Sequence, residues 1–98
     1  ATQLGRSGIT VNCIHPGITR TERTAVMLAA RAEKKGVSPE EIEAGDYAEG
    51  NPRANSIGRM VDASEIAHVT AFLCSDKAWA ISGETIAADG GGSNAVYY

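Results

Sequence analysis

The chain has 98 residues with 9 Lys and Arg against 12 Asp and Glu, a formal net charge of −3, and 43% apolar residues. This composition is that of one small globular domain and excludes a disordered chain. The mild acidity argues against nucleic acid as a partner, since phosphate binding needs clustered Lys and Arg, and the apolar stretches are too short to cross a membrane.

The N-terminal residues and the two cysteines bear on where the protein works. Residues 1–8 have no apolar core behind a basic end, so we expect no signal peptide there. Cys13 and Cys74 are 61 positions apart, which makes neither a disulfide framework nor a metal site and fits a reducing, cytoplasmic compartment. The chain begins with Ala1, a first hint of trimming or truncation, although removal of Met before a small residue would look the same.

The first elements in chain order are a helix end and a strand. Residues 1–4 are typical of the last turn of a helix that Gly5 stops. Residues 9–15 form a β-branched run that is apolar on both faces and ends at Pro16 and Gly17. This pattern predicts a buried strand in parallel pairing, with a short helix segment as the alternative.

Two helices are predicted next. Residues 23–35 are rich in Ala, Met and Leu, and Gly36 ends that helix. Ser38 and Pro39 are typical of a helix start, in which the serine caps and the proline occupies the first turn. The second helix has few apolar residues and is expected to stop at residues 50–52 (Gly-Asn-Pro).

The third helix has the clearest pattern in the chain. Residues 55–61 are expected to form a loop, and Asp62 caps the helix, with Glu65 three places on to complete a capping box. The helix is predicted to run through Ser75, and residues 85–88 follow as a second short strand. The apolar stripe of the third helix consists of Ile66, Val69, Phe72 and Leu73, with Ala67 and Ala71.

The order of these elements predicts the fold class. A strand, a set of helices and a second strand make an α/β crossover, for which a right-handed parallel pairing is expected. We therefore expect an α/β fold of about two parallel strands with two to three helices.

Several residues that could carry chemistry have a simpler interpretation. Residues 90–95 match the dinucleotide pattern G-x-G-x-x-G/A, but only three residues follow, too few for the helix that would meet the pyrophosphate. A glycine-rich loop is expected there. His15 at a strand end could be a general base, and His68 is expected at a surface or interface.

The cysteines and the charged residues are also assigned structural roles. Cys13 and Cys74 are expected to be small buried residues, because nothing near them in sequence would lower a thiol pKa. No ligand spacing suggests a metal site. A charged cluster after the first strand is expected to be a solvated loop; it consists of Arg20, Glu22 and Arg23.

The segment 16–21 is the most informative candidate site. It follows the carboxyl end of a strand, where ligands bind in open α/β sheets. Gly17 allows a close approach, and backbone N–H groups with the hydroxyls of Thr19 and Thr21 could hydrogen-bond an amide or a phosphate. The alternative is a plain strand-to-helix turn.

Four segments, in order and at similar spacing, match one protein family. They are residues 8–17 (GITVNCIHPG), residues 55–59 with 64–67 (NSIGR and SEIA), residues 72–76 (FLCSD) and residues 81–91 (ISGETIAADGG). Together they resemble the sixth strand, the lead into the last helix, the end of that helix and the seventh strand of a short-chain dehydrogenase/reductase. The resemblance covers about residues 4–92, the C-terminal part of that family's domain.

The resemblance implies an NAD- or NADP-dependent oxidoreductase with a doubly wound, Rossmann-type parallel sheet. Residues 1–98 would be a single, partial domain at its C-terminal end. The parent enzyme would transfer hydride between nicotinamide and a small alcohol or carbonyl substrate.

The resemblance also implies roles for the segment after the first strand. Pro16 and Gly17 would form a turn whose following residues close over the nicotinamide. Thr19 would contact the carboxamide through its backbone, and Thr21 would supply a hydroxyl to the carboxamide or the pyrophosphate. Residues 22–52 would cover the substrate, while the last helix and strand would contribute to a subunit interface.

The family's glycine-rich cofactor loop, its catalytic Ser and its Tyr-x-x-x-Lys pair have no counterpart in this sequence. Tyr47 is followed four residues on by Asn51, and the chain ends at its other tyrosines, Tyr97 and Tyr98. No catalytic residue is therefore assigned, and we expect the chain alone to be inactive and to bind no NAD or NADP tightly.

A different class of function is the alternative. An open strand edge invites pairing, so the chain could be a non-catalytic structural or assembly module. In either case we expect it to associate with itself or with the remainder of a parent enzyme.

Overall fold

The computed structural model describes residues 1–92, which contain three helices and four short strands. The helices of this part of the chain are α1 (Thr24–Lys35), α2 (Pro39–Asp46) and α3 (Ala63–Leu73), and none is both long and apolar enough to cross a membrane. The strands are β1 (Cys13–Pro16), β2 (Thr19–Arg20), β3 (Val61–Asp62) and β4 (Thr85–Ala88). Turns of 3-10 helix occupy Gly5–Ser7 and Asp76–Ala78. The predicted α/β class is confirmed.

The main sheet pairs β1 with β4 in parallel. Cys13 lies opposite Thr85, and Pro16 lies opposite Ala88. β4 therefore has the bounds predicted for the strand over residues 85–88. Asn12 fixes the start of this pairing, because its side-chain amide donates to the Ile81 carbonyl at 3.0 Å and its Oδ1 accepts from the Glu84 N–H at 3.1 Å. The predicted strand over residues 9–15 is therefore shorter in the structure and begins four residues later.

A second, two-residue sheet pairs β2 with β3 in parallel. Arg20 lies opposite Asp62, and its guanidinium forms an ion pair with Glu43 on α2 and a longer one, 3.7 Å, with Asp62. Arg20, Glu22 and Arg23 are exposed as expected, and the last two lie in the turn before α1. The expectation of a loop is wrong for Arg20, which belongs to β2 and whose side chain connects β2 with α2 and β3. The expected loop over residues 55–61 also ends one residue early, since Val61 belongs to β3.

Helix ends follow the predicted signals with small shifts. Gly36 ends α1 with a left-handed φ of 68°, and Ser38 accepts from the Glu41 N–H at 3.2 Å at the start of α2. The N-terminal turn ends at Gly8 (φ 76°), not at Gly5. The second helix stops at Asp46, four residues before the predicted breakers.

The start of α3 forms the expected reciprocal cap. Glu65 Oε1 accepts from the Asp62 N–H at 3.0 Å. Arg59 donates to both carboxylate oxygens of Glu65, at 2.7 and 3.0 Å. These hydrogen bonds, that of Arg59 first and that of Asp62 second, lower the pKa of Glu65 to about 2. The helix ends at Leu73, two residues before the predicted end.

A small core lies between α1 and α2. Leu28, Ala32 and Ile42 form its buried cluster. Beside them the Arg31 guanidinium donates two hydrogen bonds to the Asp46 carboxylate, of 2.6 and 2.9 Å. Asp46 is 8% exposed, and hydrogen bonding by Arg31 holds the pKa of its carboxyl below the usual 3.8. This ion pair between partly buried side chains therefore joins α1 to α2.

The strand and helix faces expected to be buried are largely open. Three of the four residues of β1 are exposed, no residue of α3 is buried, and Trp79 is 60% exposed. Cys13 and Cys74 are exposed as well, so their predicted burial is wrong. The radius of gyration is 17.3 Å, whereas a compact domain of this length has about 13 Å. No other element among residues 1–92 covers these faces.

Replacing Asp46 with Asn should lower the free energy of unfolding by about 1–2 kcal/mol at neutral pH, since Arg31 is left without its partner but stays partly solvated. The wild-type pKa is depressed on folding, so this stabilisation is present above the unfolded pKa near 3.8 and is lost as the pH falls through the folded value. Urea denaturation of both proteins, measured at neutral pH and again below pH 3.8, tests this loss of stability. The exposed Glu40→Gln is the control, and equal losses in both variants would contradict the role of the pair.

Candidate functional site

The carboxyl ends of β1 and β4 are held together at Gly17 and Asp89. A Cβ built on Gly17 would lie 2.7 Å from Asp89 Cβ and 2.9 Å from Asp89 Cα. Asp89 is 8% exposed, and its Oδ1 accepts from the Gly91 N–H at 2.9 Å. Glycine is therefore required at position 17 by a strand-end contact inside the chain, which the sequence pattern around position 17 does not reveal.

The glycine-rich turn after β4 holds the loop 55–58. Gly90 and Gly91 have φ values of 65° and 79°. The Gly90 carbonyl accepts from the Ile57 N–H at 3.1 Å, and the Gly91 carbonyl accepts from Ser56 Oγ at 3.0 Å. These contacts support the interpretation of a glycine-rich loop. Residues 93–95 of the dinucleotide-like pattern lie outside the described residues, as do the last two tyrosines.

The two candidate threonines have different environments. Thr19 is half-buried and its Oγ1 donates to the Gly17 carbonyl at 3.0 Å. This bond fixes the turn between β1 and β2. Thr21 is exposed, and its N–H donates to Thr24 Oγ1 at 2.8 Å, where α1 begins. The segment therefore forms a strand-to-helix turn whose threonines are positioned by local hydrogen bonds.

The backbone of Thr19 faces away from β3. The Ile18 carbonyl accepts from the Val61 N–H at 3.3 Å, so it points toward β3. The chain contains no cis peptide bond among its described residues, so the Thr19 N–H of the same peptide unit points in the opposite direction. This places a backbone donor at the edge where β1 ends.

Two neighbouring cavities open at this edge. The strand-end cavity has a volume of about 310 Å³ and is lined by Gly17 together with His15 and Asp89. The helix-side cavity, of about 140 Å³, lies against Thr19 and Thr21. The predicted site residues are thus divided between two cavities, and Pro16 lines neither. Both cavities share three residues, Ile18, Tyr47 and Arg53.

The helix-side cavity is lined by both apolar and polar residues. The apolar ones are Ile18, Met27, Leu28 and Met60. Arg31, Asp46 and Arg53 also line it. Burial is the main cause that raises the pKa of Tyr47, so its phenol stays protonated at neutral pH. Sequence reasoning missed Tyr47 and Arg53 because they follow no motif.

The histidines form no metal site with their neighbours. His15 and His68 are both exposed, the first at the strand-end cavity and the second on α3. Residues 1–92 contain no group of three His, Cys, Asp or Glu side chains that could hold a metal ion. A general-base role for His15 stays a prediction.

A family model described as enoyl-(acyl carrier protein) reductase matches residues 1–93. The chain is 35% identical over 94 residues to the NADPH-dependent reductase BacG of Bacillus subtilis, which covers 96% of this chain and 34% of that protein. The chain thus spans about a third of the length of the curated relatives it matches.

Solved structures show the same likeness. A short chain dehydrogenase family protein from Francisella tularensis aligns with a TM-score of 0.75 and 30% identity, over 93% of this chain and 36% of that one. L-Sorbose reductase from Gluconobacter frateurii, solved with NADPH and L-sorbose, aligns with a TM-score of 0.82 and 25% identity, over 97% of this chain and 35% of that one. The described fold is therefore similar to one third of these larger proteins.

Gly17→Ala should destabilise the chain by roughly 1–3 kcal/mol, because the new methyl group would overlap the backbone and Cβ of Asp89. Gly45→Ala is the matched control: it lies in α2, its new methyl group would have no atom within 4 Å, and it should stabilise the chain by about 0.5–1 kcal/mol. Urea denaturation compares the two. A neutral Gly17→Ala would contradict the strand-end contact.

Proposed function

Because the chain belongs to the short-chain dehydrogenase/reductase family, we propose that it forms the nicotinamide-side turn and part of the substrate pocket of an oxidoreductase that transfers hydride between a nicotinamide cofactor and a small alcohol or carbonyl compound. The observation that carries this proposal is the position of residues 17–21. They follow the carboxyl end of β1, the edge at which open α/β sheets bind ligands. All of them except Arg20 line at least one of the two cavities there.

The turn fits one end of a nicotinamide cofactor. The Thr19 N–H points away from β3, and a backbone donor of this kind suits a carboxamide oxygen. The Thr19 hydroxyl is engaged by the Gly17 carbonyl, so its part is to fix the turn. Thr21 lines the helix-side cavity and offers a hydroxyl to the carboxamide or pyrophosphate. The bound cofactor would supply the hydride, and NADPH is favoured because two of the similar proteins are named with it.

Proton transfer and tight cofactor binding would depend on residues elsewhere in such an enzyme. Its sequence has no Tyr-x-x-x-Lys pair to move a proton, since Asn51 stands four residues after Tyr47. One or two hydrogen bonds to a carboxamide contribute about 1 kcal/mol each, while association costs at least about 4 kcal/mol. We therefore expect the chain alone to bind the cofactor weakly and to act together with the remainder of a family domain.

A second candidate is a non-catalytic assembly module. It is favoured by the open faces of β1 and α3 and by the exposed side chains of Phe72 (45%) and Trp79 (60%). Apolar surface of this kind is typical of protein contacts. Sedimentation of the chain at micromolar concentration tests it, with self-association expected. A stable, folded monomer would contradict the assembly module and leave the enzyme proposal standing.

The enzyme proposal is tested in a chimera in which residues 1–92 replace the matching third of the Bacillus subtilis reductase. We expect the chimera to bind NADPH and to oxidise it with small aldehydes or ketones. Thr21→Val should raise the Kd for NADPH about threefold to tenfold through the lost hydroxyl. Titration of NADPH fluorescence measures the Kd.

Thr2→Val is the matched control, since Thr2 is exposed in the N-terminal turn, far along the chain from either cavity. It should leave the Kd unchanged. A folded chimera that binds no NADPH would contradict the proposed function, and an equal Kd in wild type and Thr21→Val would remove Thr21 from the cofactor site.

A further inference from the structure

We propose that the helix-side cavity binds the acidic group of a small carbonyl substrate and that Arg53 recognises its negative charge. This inference rests on the proposed function and names the substrate class of the same site. The chemistry that would be recognised is an anionic oxygen pair, either a carboxylate or a phosphate.

The lining of the cavity combines apolar and polar groups. Ile18, Met27, Leu28 and Met60 line it together with Thr19, Thr21, Tyr47 and Arg53. Such a lining suits a compound with an apolar part and one polar end.

One of the two arginines that line the helix-side cavity has no ion-pair partner among the described residues. Arg31 is paired with Asp46, and Arg20 is paired with Glu43. Within residues 1–92, Arg53 forms no ion pair within 4 Å, although it lines both cavities. Asp46 is hydrogen-bonded to Arg31 and also lies within the electrostatic influence of Arg53. Two arginines and one carboxylate line the helix-side cavity, so its lining has a net positive charge.

The backbone of Arg53 is held in place, while the residue as a whole is exposed. Its N–H donates to Asn51 Oδ1 at 2.9 Å, and Asn51 Nδ2 donates to the Gly45 carbonyl at 2.8 Å. Asn51 therefore ties the position of Arg53 to the end of α2. A guanidinium presents paired N–H groups that match a carboxylate or phosphate.

Asp89 is the carboxylate that lines the strand-end cavity together with Arg53. It accepts from the Gly91 N–H and is 8% exposed, so it belongs to the strand-end contact and does not enter the helix-side cavity. This separation favours the helix-side cavity as the place where an anion is accepted.

Amide NMR of the isotope-labelled chain tests binding directly, with pyruvate, methyl pyruvate and inorganic phosphate as probes. Because the guanidinium makes charge-assisted hydrogen bonds, we expect weak but saturable shifts, at about millimolar pyruvate, at residues 19–21 and 53, and none with the neutral ester. Saturation by phosphate instead would assign the anion to a phosphate group. Arg53→Met should weaken binding at least about tenfold. Arg6→Met, at an exposed arginine of the N-terminal turn, should not.

The same comparison is made in the chimera, where kcat/KM for pyruvate should exceed that for methyl pyruvate and Arg53→Met should abolish the difference. Absence of saturable binding by either anion, equal use of acid and ester, or unchanged binding in Arg53→Met would overturn the inference. A chimera that consumes no NADPH while the chain still binds pyruvate through Arg53 would instead contradict the proposed function.

Discussion

The parallel pairing of β1 with β4, closed by the contact of Gly17 with Asp89, is the constraint on which the rest of the structure depends. It joins two segments that are far apart in the sequence, and Asn12 fixes their register through hydrogen bonds to the loop before β4. The turn that follows β4 then holds the loop 55–58, which leads into β3, the partner of β2. The edge with the candidate threonines is thus built from residues at both ends of the described chain.

Ion pairs connect the helices and strands beside this edge. The Arg31–Asp46 pair joins α1 to α2, and Arg20 joins β2 to α2 and β3, so the carboxylates close to the helix-side cavity are compensated. Among the described residues that line this cavity, Arg53 is the arginine without an ion pair within 4 Å. The same set of ion pairs joins the helices and leaves the positive charge that we propose a substrate meets.

Local signals in the sequence predicted local structure well. Gly36, Ser38 and Asp62 mark helix ends by chemistry that acts within four residues, and the β4 strand has its predicted bounds. Burial was predicted wrongly at β1 and at Cys13 because an apolar pattern shows what a face can bury and not whether another element covers it.

The site depends more on contacts between distant residues. Arg20, Tyr47 and Arg53 acquire their roles from partners distant in sequence, which composition and spacing cannot reveal. The family resemblance supplied the position of Thr19 and Thr21, and the structure supplied their hydrogen bonds.

We propose that this chain contributes a turn and part of a pocket, while the proton donor and the dinucleotide phosphate site come from elsewhere in the enzyme. Titrating NADPH into the 98-residue chain alone, with the chimera measured in parallel, tests it most directly. We predict saturable micromolar binding by the chimera and none by the chain. Tight binding by the chain alone, or oxidation of NADPH by it in the presence of a carbonyl compound, would contradict the claim.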